Sequence, residues 1–153
     1  MSDPMPFEST TPRFALPLLF AGQAQKEFFV NEALLRTDLL LQCAVEGRVP
    51  SPPTAPVAGQ AWLVGAPAAG AFAGYEHAIA AWTEGGWRFF APIAGMRVFD
   101  RSLRAFRLFV DGAWRSPGAV AAPAGGGTID AKARATLTQV LERLAEAGIL
   151  ASS

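Results

Sequence analysis

Four prolines within VPSPPTAPVAGQ, residues 49–60, divide the chain into two stretches of different periodicity. Proline fixes φ and removes a backbone donor, so neither a helix interior nor a central strand runs through this segment. Before it, apolar residues recur at helical spacing. After it, short apolar bursts alternate with glycine-rich turns. The chain therefore reads as α+β, with four parts: an N-terminal arm and long helix (1–46), a small antiparallel β module (47–115), a flexible linker (116–127) and a C-terminal heptad helix (128–150).

Residues 1–20 carry three prolines before Phe14 and adjacent threonines, which predicts an extended arm. Its apolar end, Phe14 to Phe20, should lie in a groove of this chain or of a neighbour. The stretch 23–46 lacks Pro and Gly, and Phe28, Leu34, Leu35, Leu41 and Val45 repeat at helical intervals, with Gly47 as the stop. Gln23, Glu27, Asn31, Asp38 and Gln42 are separated by 4, 4, 7 and 4 residues, one polar row along that helix. Its carboxylates, Glu27 and Asp38, stand about 16 Å apart on a helix, too far to share a proton or a metal. The row, together with Gln25, is expected to set the register of an assembly interface. Cys43 falls in the same stretch and is expected to be a small buried hydrophobe.

From 61 to 115 the bursts AWLVG, HAIAAW, WRFFAP, MRVFD, FRLFV and AWR recur at strand-and-turn spacing. Glu84-Gly85-Gly86 reads as a hairpin turn between Trp82 and Trp87, and Asp111-Gly112 as a type I′ turn. Phe106, Leu108 and Val110 should face the core, with Arg107 and Phe109 outward. All four Trp lie here. Such rings either fill the core of a small β domain or stack on sugars. Trp82 and Trp114, each beside a turn, are the candidates for exposure, and with Tyr75 and Arg107 they make the candidate ligand contact. Five arginines (97, 101, 104, 107 and 115) fall in one short segment. Their planar forks suit carboxylates and sulfates, although outward positions on half-buried strands would place arginine there too.

After SPGAVAAPAGGG, the segment TIDAKARATLTQVLERLAEAGIL reads as a helix with Thr128 as N-cap, Asp130 in the first turn and Gly148 at C′, where Ile149 can fold back on Leu144. Ala133, Leu137, Val140, Leu144 and Ala147 are spaced 4, 3, 4 and 3, an a/d seam of about two heptads. Such a helix is marginal alone. It either folds back on its own domain or bundles with copies, and the clean seam with Lys132, Arg134, Glu142 and Arg143 opposite favours bundling.

Zero net charge excludes binding driven by phosphate neutralisation, so no nucleic acid is expected. A mean hydropathy of +0.25 implies apolar surface covered by another protein chain. The longest apolar run, FALPLLFAG at 14–22, is too short to span a bilayer, and no basic-then-apolar leader opens the chain, so it is expected to be made in the cytoplasm without membrane insertion. His77 is the single histidine, without a triad partner, and is expected to be a partly exposed strand residue. GAPAAG and AGGG lack the context of a phosphate loop. No enzyme, metal or cofactor is expected.

LPLLFAGQAQKEFFVNEAL, Asp38, GQAWLVG, AWTEGGWRFFAPIAG, VDGAWR and the C-terminal helix together resemble an uncharacterised domain family. It occurs in tail-fibre-like proteins of alphaproteobacterial phages, prophages and gene transfer agents. The resemblance covers about residues 12 to 115. Its most specific part is Gly-Gln-Ala-Gln-Lys at 22–26 followed by Asn31-Glu32-Ala33-Leu34. It implies a virion protein of the tail tip, a homotrimeric fibre or receptor-binding subunit docked on tail-tip or baseplate proteins and touching host surface polysaccharide. Phe28 and Phe29 depart from it, where smaller or more polar residues are expected. The assembly residues would be the polar row with Leu137, Val140 and Leu144. A carbohydrate-binding module and a purely structural tail adaptor are the alternatives.

Overall fold

The computed structural model describes residues 9–19, 26–118, 120–121, 124–125 and 130–150. They form two helices, α1 (Lys26–Leu40) and α2 (Ala131–Glu146), and eight strands: β1 (Ala44–Val45), β2 (Arg48–Val49), β3 (Ala61–Val64), β4 (Ile79–Thr83), β5 (Gly86–Phe90), β6 (Arg97–Asp100), β7 (Ala105–Val110) and β8 (Ala113–Arg115). The strands make two four-stranded sheets, ordered β1-β6-β7-β8 and β2-β3-β4-β5. The class is α+β, but the sheets are mixed where antiparallel pairing was expected. β1 runs parallel to β6 and β2 runs parallel to β3. Residues 44–49 pass from the first sheet to the second through a bend at Glu46, so the β module starts within the stretch assigned to the helix.

Both predicted hairpins form. Trp82 faces Trp87 and Thr83 faces Gly86 across the Glu84-Gly85 turn. Val110 faces Ala113, with Asp111 and Gly112 at φ 51° and 71°, the left-handed pair that a type I′ turn requires. Alternation then sorts side chains to two faces of each sheet. Leu63, Ile79, Ala81 and Phe90 of the second sheet meet Val45, Val98 and Trp114 of the first in one core, closed by Leu39 and Cys43. Burial pushes the Cys43 thiol up to about 11, against a smaller lowering by the nearby Arg13 charge, so it is an inert core group as expected. The other face of the second sheet is covered by its own loop 65–78, which drives Phe72 against Trp87 and Phe89.

On β7 the orientation is the reverse of the expectation. Phe106 and Leu108 are 37% and 40% exposed, while Phe109 packs on the core. The cause is Asp100, which is fully buried and takes Arg107 inward as a 2.6 Å ion pair. One inward residue fixes the parity of the whole strand.

α1 stops at Leu40, short of the expected 46, because of an interaction from far away in sequence. Arg13 places Nη1 3.0, 2.8 and 3.3 Å from the carbonyls of Asp38, Leu39 and Leu41, and Nη2 3.0 Å from that of Gln42. Its guanidinium satisfies the carbonyls that a helix end leaves open and complements the negative end of the dipole. Gln42 turns the chain at φ 48°, so Gly47 is not the helix stop. In return Asp38, fully buried, reaches into the arm. It accepts from Thr11 Oγ1 at 2.7 Å, the Arg13 N–H at 3.0 Å and the Phe14 N–H at 2.7 Å. The arm loop is closed around it by Thr11 N–H to Leu16 and Leu18 N–H to Ser9.

α2 begins one cap later than expected. Asp130 is the N-cap itself and accepts from the N–H groups of Lys132 and Ala133 at 3.0 Å, whereas Thr128 lies outside the described residues. Its far end is the Schellman turn anticipated: Gly148 at φ 69°, the Ile149 N–H on Leu144 and the Gly148 N–H on Ala145. That turn docks on the first sheet, with the Phe106 N–H donating 2.9 Å to the Gly148 carbonyl.

Replacing Asp38 by Ala strands two backbone donors and a hydroxyl, and should lower unfolding free energy by about 3 kcal/mol. Limited trypsinolysis should then cut after Arg13 in the variant under conditions where the native chain resists. Equal resistance and an unchanged urea midpoint would contradict the clamp.

Candidate functional site

The polar row resolves residue by residue. Gln23 and Gln25 lie outside the described residues. Glu27 stands half-buried in the first turn of α1, where the dipole favours a carboxylate. Asn31 grips the backbone of Leu19 at both groups: Oδ1 accepts its N–H at 2.9 Å and Nδ2 donates to its carbonyl at 3.0 Å. Asp38 binds the arm loop as described. Two members of the row, Asn31 and Asp38, therefore bind the chain's own arm. α1 is held to the β module by Glu32, paired with Arg88 of β5 at 3.3 Å and with Arg36 at 2.9 Å.

Beside the exposed Lys26, Arg36 and Thr37, α1 leaves large apolar side chains outward. Phe28 and Phe29 are 70% and 74% exposed and lie edge to face at 5.6 Å, with Val30 beside them. These are the two positions at which smaller or more polar residues were expected. α2 is similar: none of its residues is buried, Leu137 and Val140 are 52% and 48% exposed, and Leu144 is half-buried. An amphipathic helix that buries no side chain lacks the packing that ordinarily stabilises one.

The aromatic candidates separate. Trp114 is buried, a correction to its expected exposure. Register places it opposite Phe109 over the core, and its indole N–H donates 2.7 Å to the His77 carbonyl. His77 precedes β4, half-buried at a left-handed φ of 67°, and is not a strand residue. Trp82 is half-buried against Trp87 at 5.0 Å. Tyr75 is exposed on one side and stacked on Phe89 at 3.8 Å. Trp82 and Tyr75 thus sit on one aromatic face, Trp114 in the core between the sheets, and Arg107 against Asp100. The four do not converge.

The Asp100 cluster is polar, enclosed and fully partnered. Ser102 donates through Oγ at 2.6 Å and through its N–H at 2.9 Å, the Leu103 N–H at 3.2 Å, and Arg107 Nε at 2.6 Å. Burial alone would raise the carboxyl, but these hydrogen bonds and the Arg107 charge outweigh it and hold it below its ordinary value. Arg107 continues to the Ser116 hydroxyl, tying down the chain after β8. The cluster is a structural staple that sequence spacing did not reveal. Among the described residues no group of three or more His, Cys, Asp or Glu is placed to hold a metal, and no helix is long and apolar enough to cross a membrane.

Residues 30–115 match the family described as Protein of unknown function (DUF2793), and because the match spans more than half of the chain, the chain belongs to that family. The matched region holds Asn31, Asp38 and all eight strands, and leaves out the arm, the 22–26 block and α2. No curated protein and no solved structure matches the chain.

Because the Asp100 carboxyl is held down in the fold, its contribution to stability is complete above the ordinary carboxyl value of about 4 and is lost as pH falls below it. Asp100→Asn should be less stable than the native chain at pH 7 by about 2 kcal/mol and should lose less on acidification to pH 3. Parallel denaturation curves for the two proteins at both pH values would contradict this.

Proposed function

We propose that this DUF2793 protein is a non-enzymatic structural subunit of the tail-fibre type. It would assemble as a homotrimer, dock through its N-terminal part on tail-tip or baseplate proteins of a virion, and contact polysaccharide on the host surface. The observation that carries the assembly part is α2: a capped helix with an a/d seam, tethered to the domain at its Schellman turn, with Leu137 and Val140 about half exposed. A seam of this length gains stability when copies bury it against one another. The exposed Phe28-Phe29 pair on α1 supports a second contact at the other end of the chain, consistent with docking on a larger partner. The tail-fibre assignment itself rests on the sequence resemblance.

A structural adaptor without receptor contact is the second reading. The burial of Trp62 and Trp114, and the packing of Trp87 beneath Phe72, favour it over sugar stacking by tryptophan. A carbohydrate-binding module working through Trp82 and Trp114 loses half its platform, since Trp114 is in the core.

Light scattering on the eluting protein tests the assembly. The full chain at micromolar concentration should run as three chain masses. Leu137→Glu combined with Val140→Glu should give a monomer whose β module still melts cooperatively, because neither side chain contributes to the core. A native monomer, or a trimer indifferent to both substitutions, would contradict the reading.

A further inference from the structure

The outer face of the first sheet carries arginine charge that no carboxylate among the described residues neutralises. Register sets Arg97 of β6 opposite Leu108 of β7, and Leu108 opposite Arg115 of β8. Two strand spacings separate the arginines, about 10 Å between backbones. Arg36, Arg88, Arg101, Arg107 and Arg143 each pair with a carboxylate, whereas Arg97 and Arg115 have no acidic partner among the described residues. Between them lies a groove of about 430 Å³, floored by Phe106 and Leu108 and walled by Pro117 and the Gly148-Ile149 turn.

Three features make this a built groove. The Arg97 guanidinium lies over the Phe106 ring at 4.6 Å, which orients its fork. The wall after β8 is pinned by Arg107, itself locked on Asp100, through the Ser116 hydroxyl. The opposite wall is held by the Phe106 N–H on the Gly148 carbonyl, and a side chain at Gly148 would approach Phe99 and Phe106 within 3.3 Å. Small concave sites of this kind bind through apolar contact with a few placed polar groups.

We propose that this groove binds an acidic saccharide. Each arginine fork would take a carboxylate or sulfate of the sugar in paired hydrogen bonds, while the apolar sugar face lies on Leu108 and the part of Phe106 that Arg97 leaves open. Charge complementarity selects this occupant. A neutral sugar leaves two guanidinium groups without a counter-charge, and an isolated inorganic anion leaves the apolar floor uncovered. The roughly 10 Å between the arginine backbones is about two sugar units of an extended acidic chain, so one chain can bring a charge to each fork. The assignment deepens the receptor-contact part of the proposed function and does not depend on the trimer.

The test is calorimetric titration of the full chain with three probes: oligogalacturonate, sulfated dextran oligomers and neutral maltoheptaose, with the oligomer mass measured on the same samples. An acidic oligomer should bind, weaken as salt rises and lose at least tenfold in affinity in Arg97→Gln combined with Arg115→Gln. Maltoheptaose should not bind. Binding of the sulfated probe alone keeps the groove and identifies its anion as sulfate. Absence of binding to both acidic probes, equal binding of the neutral one, or affinity indifferent to the double substitution overturns the proposal. So does dissociation of the assembly by that substitution, which would make the groove a contact between chains. A monomeric native protein that still binds through these arginines contradicts the trimer and leaves the groove standing.

Discussion

Asp38 and Arg13 exchange opposite charges between two distant segments, and the arrangement of the domain follows from that exchange. The helix sends a buried carboxylate into the arm loop, and the arm returns a guanidinium to the helix end. Each group satisfies backbone that would otherwise be left open: the arm loop at Asp38, the last helical carbonyls at Arg13. Ending α1 at Leu40 frees residues 44–49 to extend, and that run is what joins the sheets, pairing first with β6 and then with β3. Were the helix to continue to 46, Val45 could not reach the core it shares with Val98 and Leu63.

The parts of this fold legible in the sequence are those written locally. Asp111-Gly112, Glu84-Gly85 and the Gly148 turn each carry their own backbone chemistry, and each forms where expected. The parts that sequence missed depend on a partner outside any short window. Leu41 and Val45 continue the helical spacing of α1, and only Arg13, 28 residues before Leu41, shows why the helix ends. Phe106 and Leu108 look inward until Asp100 is seen to draw Arg107 to that side. Trp114 follows a turn, where exposure is usual, yet its neighbour across the strand is Phe109 over the core. The parallel pairs of β1 and β2 come from two-residue strands that have no periodicity to read.

The same distinction applies to the candidate site. An amide-rich stripe suggested an interchain register; Asn31 and Asp38 hold the chain's own arm, and large apolar residues stand exposed on α1 and α2. The cluster of arginines was visible in sequence as a composition bias. Its division into Arg107 stapled on Asp100, Arg101 paired with Glu46, and Arg97 and Arg115 flanking one groove needed the strand register. Buried aromatic rings stabilise the module, and the proposed recognition surface is the arginine face.

The central claim is that the arm is latched within one chain while α2 is stabilised between chains. Native-state hydrogen exchange followed across a hundredfold range of protein concentration tests both halves at once. The Arg13 and Phe14 amides, bonded to Asp38, should be protected to the level of the β core at every concentration, and α2 amides should gain protection as concentration rises. Rapid exchange at Arg13 and Phe14, or α2 protection that ignores concentration, would contradict the account.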